Sequence, residues 1–328
     1  MTEHDTTCSS GIAENPVESV SHASGLNVTQ YSVGGISSPN PIMSTHIQKE
    51  GIQYEIPEVY HFRGKVIHLC QPLPPDERVQ WKGQTEVYRQ LLASWLSNGP
   101  HDPPLNPILL GPSGLGKTTL AMAVARECGQ PLFMMNCQGD MEPNDLTVSI
   151  NLDSEKNIQY TASPVLTAAL VGGAVILDEF TRLPQHAFAS LASLLDHRRY
   201  VEASIIPGLR IPAHPDFRIA FTSNFDSFSD LPDYIESRLK PRIIVSNPTI
   251  EELILILDSH LPSPAYSEKF KQKLVEHLAA AKNNGRYREF STRDAITIGR
   301  LAQRFNQFAP EELDANIARA MDAVNGHM

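Results

Sequence analysis

The chain has 328 residues, enough for two compact domains and a tail, and its 41% hydrophobic and 20% charged residues are ordinary for a globular protein. A formal net charge of -10 denies it the global positive field that would favour a nucleic-acid backbone or an anionic membrane. Its four cysteines, Cys8, Cys70, Cys128 and Cys137, form no CxxC pair and have no histidine at ligand spacing, which argues against a zinc site and a disulfide framework and leaves core or surface thiols.

Residues 1–50 are rich in Ser, Thr, Asn, Pro and Gly without sustained periodicity, as in "SVGGISSPNPIMSTH", and predict a disordered polar tail with a docking role. The first residues carry acids where an export signal has bases and then an apolar run, so a cytoplasmic location is expected. In residues 51–103, "TEVYRQLLASWL" sets Val87, Leu91, Leu92, Trp95 and Leu96 at helical spacing, an amphipathic helix leading into the main domain. From 104 to 246 short apolar strands alternate with helical segments, the pattern of a parallel sheet covered on both faces. The longest apolar run, Val165 to Leu177, is too short to span a bilayer and is interrupted by Gly172 and Gly173. Residues 247–328 read as helices only, in "TIEELILILDSHL", "SEKFKQKLVEHLAAAKN", "STRDAITIGRLAQRF" and "PEELDANIARAMDAV", a small all-helical domain.

Chemistry enters at "GPSGLGKT". Gly111 to Thr118 fits GxxxxGK[ST] in full, after the strand "PILL" and before the helix "TTLAMAVAREC". A loop wrapped round phosphates must point successive backbone N–H groups inward, and side chains at Gly111, Gly114 or Gly116 would block that approach. Gly111, Pro112, Ser113, Gly114, Leu115, Gly116, Lys117, Thr118 and Thr119 are therefore assigned to nucleotide, Lys117 as a point charge for the outer phosphates and Thr118 as a magnesium ligand. Sixty residues on, "GGAVILDEF" is a buried strand ending in Asp178 and Glu179. Open α/β sheets bind ligands at the carboxyl edge of their strands, so Asp178 is assigned to the metal and Glu179 to the attacking water. A third strand, "FRIAFTSN", ends in Asn224, able to orient the same water.

The order phosphate loop, "ILDE", "TSN", "ESRL", "STRD" resembles the AAA+ ATPases of the MoxR group and the related CbbQ, NorQ and dynein-like modules, over about residues 80–328. Gly83 and Gln84 match the "GQ" common before that family's first strand. The resemblance implies an α/β AAA+ P-loop NTPase core followed by a helical lid, with Asn224 as first sensor, Arg238 as the arginine finger offered to a neighbour's ATP, and Arg293 as second sensor on the lid. Arg242, Arg198 and Arg199 stand as competing fingers. "MEPNDLTVSINLDSEKNIQYTASPVL" lies where MoxR-group proteins carry an extra hairpin, with Thr147 and Val148 in place of a frequent glycine. "RRYVEASIIPGLRIPAHPDFRI" reads as strand, Pro207-Gly208 turn, strand, resembling the hairpin before the first sensor. In a ring such loops face the pore or substrate; a plain surface hairpin is the alternative.

The function so implied is ATP hydrolysis, with Mg2+, between subunits of a homo-oligomeric ring, a hexamer, whose lid motion remodels or matures a protein client, with a von Willebrand factor A domain protein as partner. Two readings from other classes compete. An AAA+ motor acting on nucleic acid, of restriction or defence type, is disfavoured by the acidic balance and by hairpins without a basic cluster. A nucleotide-gated scaffold that hardly hydrolyses ATP is disfavoured by the intact Glu179. GTP is disfavoured because no NKxD-type motif occurs.

Overall fold

The computed structural model describes residues 56–76, 80–99, 102–261, 266–284 and 290–326. The expected tail at 1–50 lies outside them. Strands β1 (Val59–Phe62) and β2 (Lys65–His68) form an antiparallel hairpin ahead of helix α1 (Thr85–Trp95). The sequence predicts only the helix in this stretch. Next come β3 (Ile108–Leu110), α2 (Lys117–Glu127) and β4 (Leu132–Asn136), then the hairpin of β5 (Val148–Leu152) and β6 (Ile158–Ala162). Helix α3 (Pro164–Val171) starts where Ser163 accepts a hydrogen bond from the Leu166 amide and Pro164 takes the first turn, where no N–H is needed. It is followed by β7 (Ala174–Asp178), a 3-10 turn at Phe180–Arg182 and the short α4 (Gln185–Phe188). The hairpin of β8 (Tyr200–Ala203) and β9 (Leu209–Pro212) precedes β10 (Arg218–Ser223), the short α5 (Phe225–Phe228) and α6 (Asp233–Glu236), and β11 (Arg242–Ile244). Among the described residues four helices follow: α7 (Ile250–His260), α8 (Glu268–Asn284), α9 (Thr292–Asn306) and α10 (Leu313–Asn325).

Among the described residues, the central sheet has five strands in the order β11-β3-β10-β7-β4, every pair parallel. Parallel strands buried on both faces need near-continuous apolar runs, which "ILL" and "AVIL" supply. Because side chains alternate along a strand, each strand feeds two cores. Ile108, Leu110, Val175, Leu177, Ile219 and Phe221 pack on one side, and Leu109, Ala174, Ile176, Ala220 and Ile243 on the other with α1 and α2. A second sheet, β1-β2-β6-β5, joins the early hairpin to the later one through a parallel β2/β6 pair. Helices α7 to α10 share a third core around Leu257, Leu274, Ile298 and Ile317. Capping boxes start α7 (Thr249 with Glu252) and α9 (Ser291 with Asp294). Among the described residues no helix is long and apolar enough to cross a membrane.

Candidate active site

The phosphate loop runs from the end of β3 into α2, whose first turn leaves its backbone N–H groups free to point at an anion. Gly111 is required by close approach, because a Cβ there would strike the carbonyl oxygen of Val245. Gly114 is required twice over: its φ is +82°, and a Cβ would lie 2.9 Å from Cβ of Ser291 on the lid. Lys117 Nζ donates to the carbonyl oxygens of Gly111 (2.8 Å) and Pro112 (2.9 Å) and to Asn224 Oδ1 (3.2 Å). Burial pulls its ammonium below the usual lysine range and Arg293 adds to this, against the opposing pull of Asp178 and Glu179. Loop, sheet edge and lid thus act on one cation.

The parallel β4, β7 and β10 end side by side. Thr118 Oγ1 donates to Asp178 Oδ1 at 2.7 Å, and Thr222 Oγ1 donates to the same oxygen. Thr222 also accepts the Glu179 backbone N–H at 3.0 Å. Glu179 leaves β7 in the left-handed region, φ 55°, a conformation a non-glycine residue holds only when its surroundings dictate it. Its carboxylate pairs with Arg182 at 2.8 Å, one turn on. Asn224 follows β10 directly, exposed, with its side chain on Lys117. The predicted residues Lys117, Thr118, Asp178, Glu179 and Asn224 therefore converge on one sheet edge.

The arginines divide. Arg293 sits in the first turn of α9, and its N–H donates to the Gly114 carbonyl at 3.1 Å, which brings the lid onto the phosphate loop. Arg238, expected on the helix of "LPDYIESRL", lies just beyond it, since α6 ends at Glu236. Its guanidinium donates to the Tyr234 carbonyl and stands 3.6 Å from Asp196. Arg242 pairs with Glu236 and lies over the Phe228 ring at 4.6 Å. Arg199 donates to the carbonyls of Pro104 and Phe217, both at 3.1 Å, and burial pulls it down to about 10. Arg199 is spent on holding loops together, and Arg242 on its own segment.

A family model for the AAA domain of the dynein-related subfamily matches residues 106–242. Over 205 residues the chain is 30% identical to protein CbbQ of Hydrogenophilus thermoluteolus, covering 59% of this chain and 73% of CbbQ. This chain belongs to the dynein-related AAA+ ATPases. It is also 24% identical over 226 residues to the gas vesicle ATPase GvpN of Ancylobacter aquaticus, covering 63% of this chain and 61% of GvpN. Among solved structures, a RuvB mutant of Thermotoga maritima superposes with a TM-score of 0.52 at 16% identity, covering 76% of this chain and 73% of that one; the likeness is one of fold.

The AAA+ site of this chain fits Mg-ATP by its own chemistry. The glycine loop, with no room for a Cβ at Gly111 against the Val245 carbonyl or at Gly114 against Ser291, leads into a lysine, and a hydroxyl and a carboxylate already share a hydrogen bond where a hard cation takes oxygen ligands. Three residues around the site carry no role read from the sequence, although Thr222 stands in "TSN" and Ser291 in "STRD". Thr222 precedes Ser223, the last residue of β10, and Asn224. Arg182 is signalled only by its i,i+3 spacing from Glu179. Ser291 caps α9 and meets Gly114 across 177 residues of chain.

Proposed function

We propose that this AAA+ ATPase is a MoxR-type machine that couples ATP hydrolysis, in a hexameric ring in the cytoplasm, to remodelling or maturation of a protein client presented with a von Willebrand factor A domain partner. The convergence of Lys117, Thr118, Asp178, Glu179 and Asn224 beneath the docked N-terminus of α9 carries the reading. Backbone N–H groups of residues 114–118 bind the phosphates, and Lys117 exchanges its two loop carbonyls for phosphate oxygens. Thr118 and Asp178 would hold Mg2+, which when bound neutralises phosphate charge. Glu179 accepts the proton of the attacking water, Asn224 orients that water, Arg293 contacts phosphate in cis, and Arg238 reaches a neighbouring subunit's site in trans. The gas vesicle ATPase GvpN among the relatives supports an ATPase, and the net charge of -10 supports a protein client over a nucleic acid.

Two variants test it. Lys117→Ala is expected to abolish nucleotide binding, whereas Glu179→Gln keeps Mg-ATP binding and loses turnover, because an amide accepts no proton. Equilibrium binding of a fluorescent ATP analogue read beside phosphate release separates the two. A Glu179→Gln protein that turns over at the wild-type rate would remove the assigned base. The same variant, held in its ATP state, is the bait for recovering client and partner from the native cell. Loss of turnover without any ATP-dependent capture would reduce the reading to a bare ATPase.

A further inference from the structure

Between the 3-10 turn Ala189–Leu191 and β8, Asp196 gathers two arginines. Its Oδ1 accepts the Arg198 backbone N–H at 2.9 Å and Nε at 3.1 Å; its Oδ2 accepts Nε at 3.0 Å and NH2 at 2.7 Å. From the other side the Arg238 guanidinium approaches Oδ2 at 3.6 Å. The carboxylate is only 12% exposed, and the Arg198 hydrogen bonds hold it down to about 2, so it stays ionised at any working pH. Buried Asn106 fastens the same joint through the main chain. Its Nδ2 donates to the carbonyls of Leu195 (2.8 Å) and Arg238 (3.3 Å), so the residue before Asp196 and Arg238 itself meet on one amide. Among the described residues Arg238 Nε is buried without a hydrogen-bond partner, which leaves the Tyr234 carbonyl and Asp196 to aim the guanidinium.

We propose that Asp196 is the positioning residue for Arg238, with Arg198 as the anchor that keeps Asp196 in place. The proposal rests on the reading of Arg238 as a finger acting in trans. A long arginine side chain carries rotamer entropy that a finger must lose on reaching phosphate unless it is already ordered. One carboxylate between two guanidinium groups orders Arg238 and still leaves the cluster with a net positive charge. The unequal distances divide the work. Arg198 at 2.7 Å retains the carboxylate, while Arg238 at 3.6 Å is held loosely enough to pass to a phosphate oxygen. Asp196 thus aims the finger without competing for it.

Subunit mixing tests this. Arg238→Ala subunits keep a sound phosphate site, and Lys117→Ala subunits keep a sound finger, so their mixture is expected to regain ATPase activity at interfaces pairing one with the other. Adding Asp196→Asn to the Lys117→Ala subunit is expected to lower the regained rate about 10²-fold, the cost of a misplaced group. Adding it to the Arg238→Ala subunit is expected to change nothing. In the otherwise wild-type chain, Asp196→Asn should lower kcat and leave KM for ATP within about twofold, because its own phosphate loop is intact. Native mass spectrometry and an unchanged Tm separate these effects from lost assembly or folding. If Asp196→Asn does not fold, Asp196→Glu takes its place in the mixtures, with a loss of about tenfold expected from the shifted carboxylate. Equal activity with and without the Asp196 change, or a loss when it sits in the Arg238→Ala subunit, overturns the positioning role and leaves the trans finger standing. If the parent mixture co-assembles and stays silent, the trans finger fails, and the role of Asp196 falls with it.

Discussion

Thr222 shows how much of the site hangs on a residue to which its motif assigns no role. One hydroxyl donates to Asp178 and accepts the N–H of Glu179, so it ties the carboxylate assigned to metal to the backbone of the assigned base. That backbone is in the left-handed region, where a glutamate stays only if its neighbours hold it. Thr222→Val keeps the shape and removes both hydrogen bonds. It is expected to lower turnover by about 10²-fold through misplacement of Glu179, with ATP affinity nearly unchanged because the phosphate loop is untouched. Phosphate release and analogue binding on the purified variant read the two separately; equal losses in both would mean that Thr222 supports the loop instead. The residues legible in the sequence, Lys117, Thr118, Asp178 and Glu179, follow from chemistry that needs those types at fixed offsets from a strand end. Thr222 acts across 44 positions of chain, Asn106 across 89 and 132, and Asp196 meets Arg238 across 42, and no local spacing announces them.

At the scale of elements, the parallel sheet and the lid helices are legible because each carries its own signal: continuous apolar runs for β3 and β7, capping boxes at Thr249 and Ser291 for α7 and α9. The hairpin β1–β2 is not, since its strands are four residues each and its second partner, β6, lies about ninety residues on. The available clue is the two-residue connection Arg63-Gly64, both at positive φ, which matches the twist of a tight hairpin. Helix α1 shows the converse, a periodicity that gives the helix without what it grips. Trp95 is 1% exposed, its Nε1 donates to the Ile219 carbonyl at 3.0 Å, and its own carbonyl accepts Arg218 Nε at 2.6 Å, so the end of α1 is strapped to β10 from both sides. Trp95→Ala removes a large buried side chain and one of those straps, and is expected to cost about 3–5 kcal/mol. Guanidinium unfolding measures this, and a loss under about 1 kcal/mol would show that α1 contributes little to the core.

Across the described residues, the nucleotide core and the lid have separate hydrophobic clusters and touch on two sides of the phosphate loop. On one side Glu252, in the capping box of α7, accepts the Gln84 N–H beside Gly83, and the Gln84 side chain donates to the Ser246 carbonyl at 2.8 Å. On the other, the first turn of α9 rests on Gly114 through Ser291 and the Arg293 N–H. Bodies with separate cores can move against each other, and the first turn of α9 lies against the loop that would hold an anion. Gly114 is the point where this coupling is most exposed to a single methyl group. Gly114→Ala introduces a Cβ 2.5 Å from Ser291 Oγ and 2.9 Å from its Cβ at a φ of +82°, so either the loop or the lid must give way. The loop is fixed at both ends by β3 and α2, so the lid is expected to move. Before any nucleotide is added, hydrogen exchange at the amides of residues 292–295 should rise while the exchange of β7 and β10 stays as it was. ATP affinity should fall about tenfold or more, since a change of 1.4 kcal/mol is enough for a factor of ten. Weaker ATP binding with α9 exchange unchanged would place the whole effect in the loop and deny that α9 is held there by Gly114.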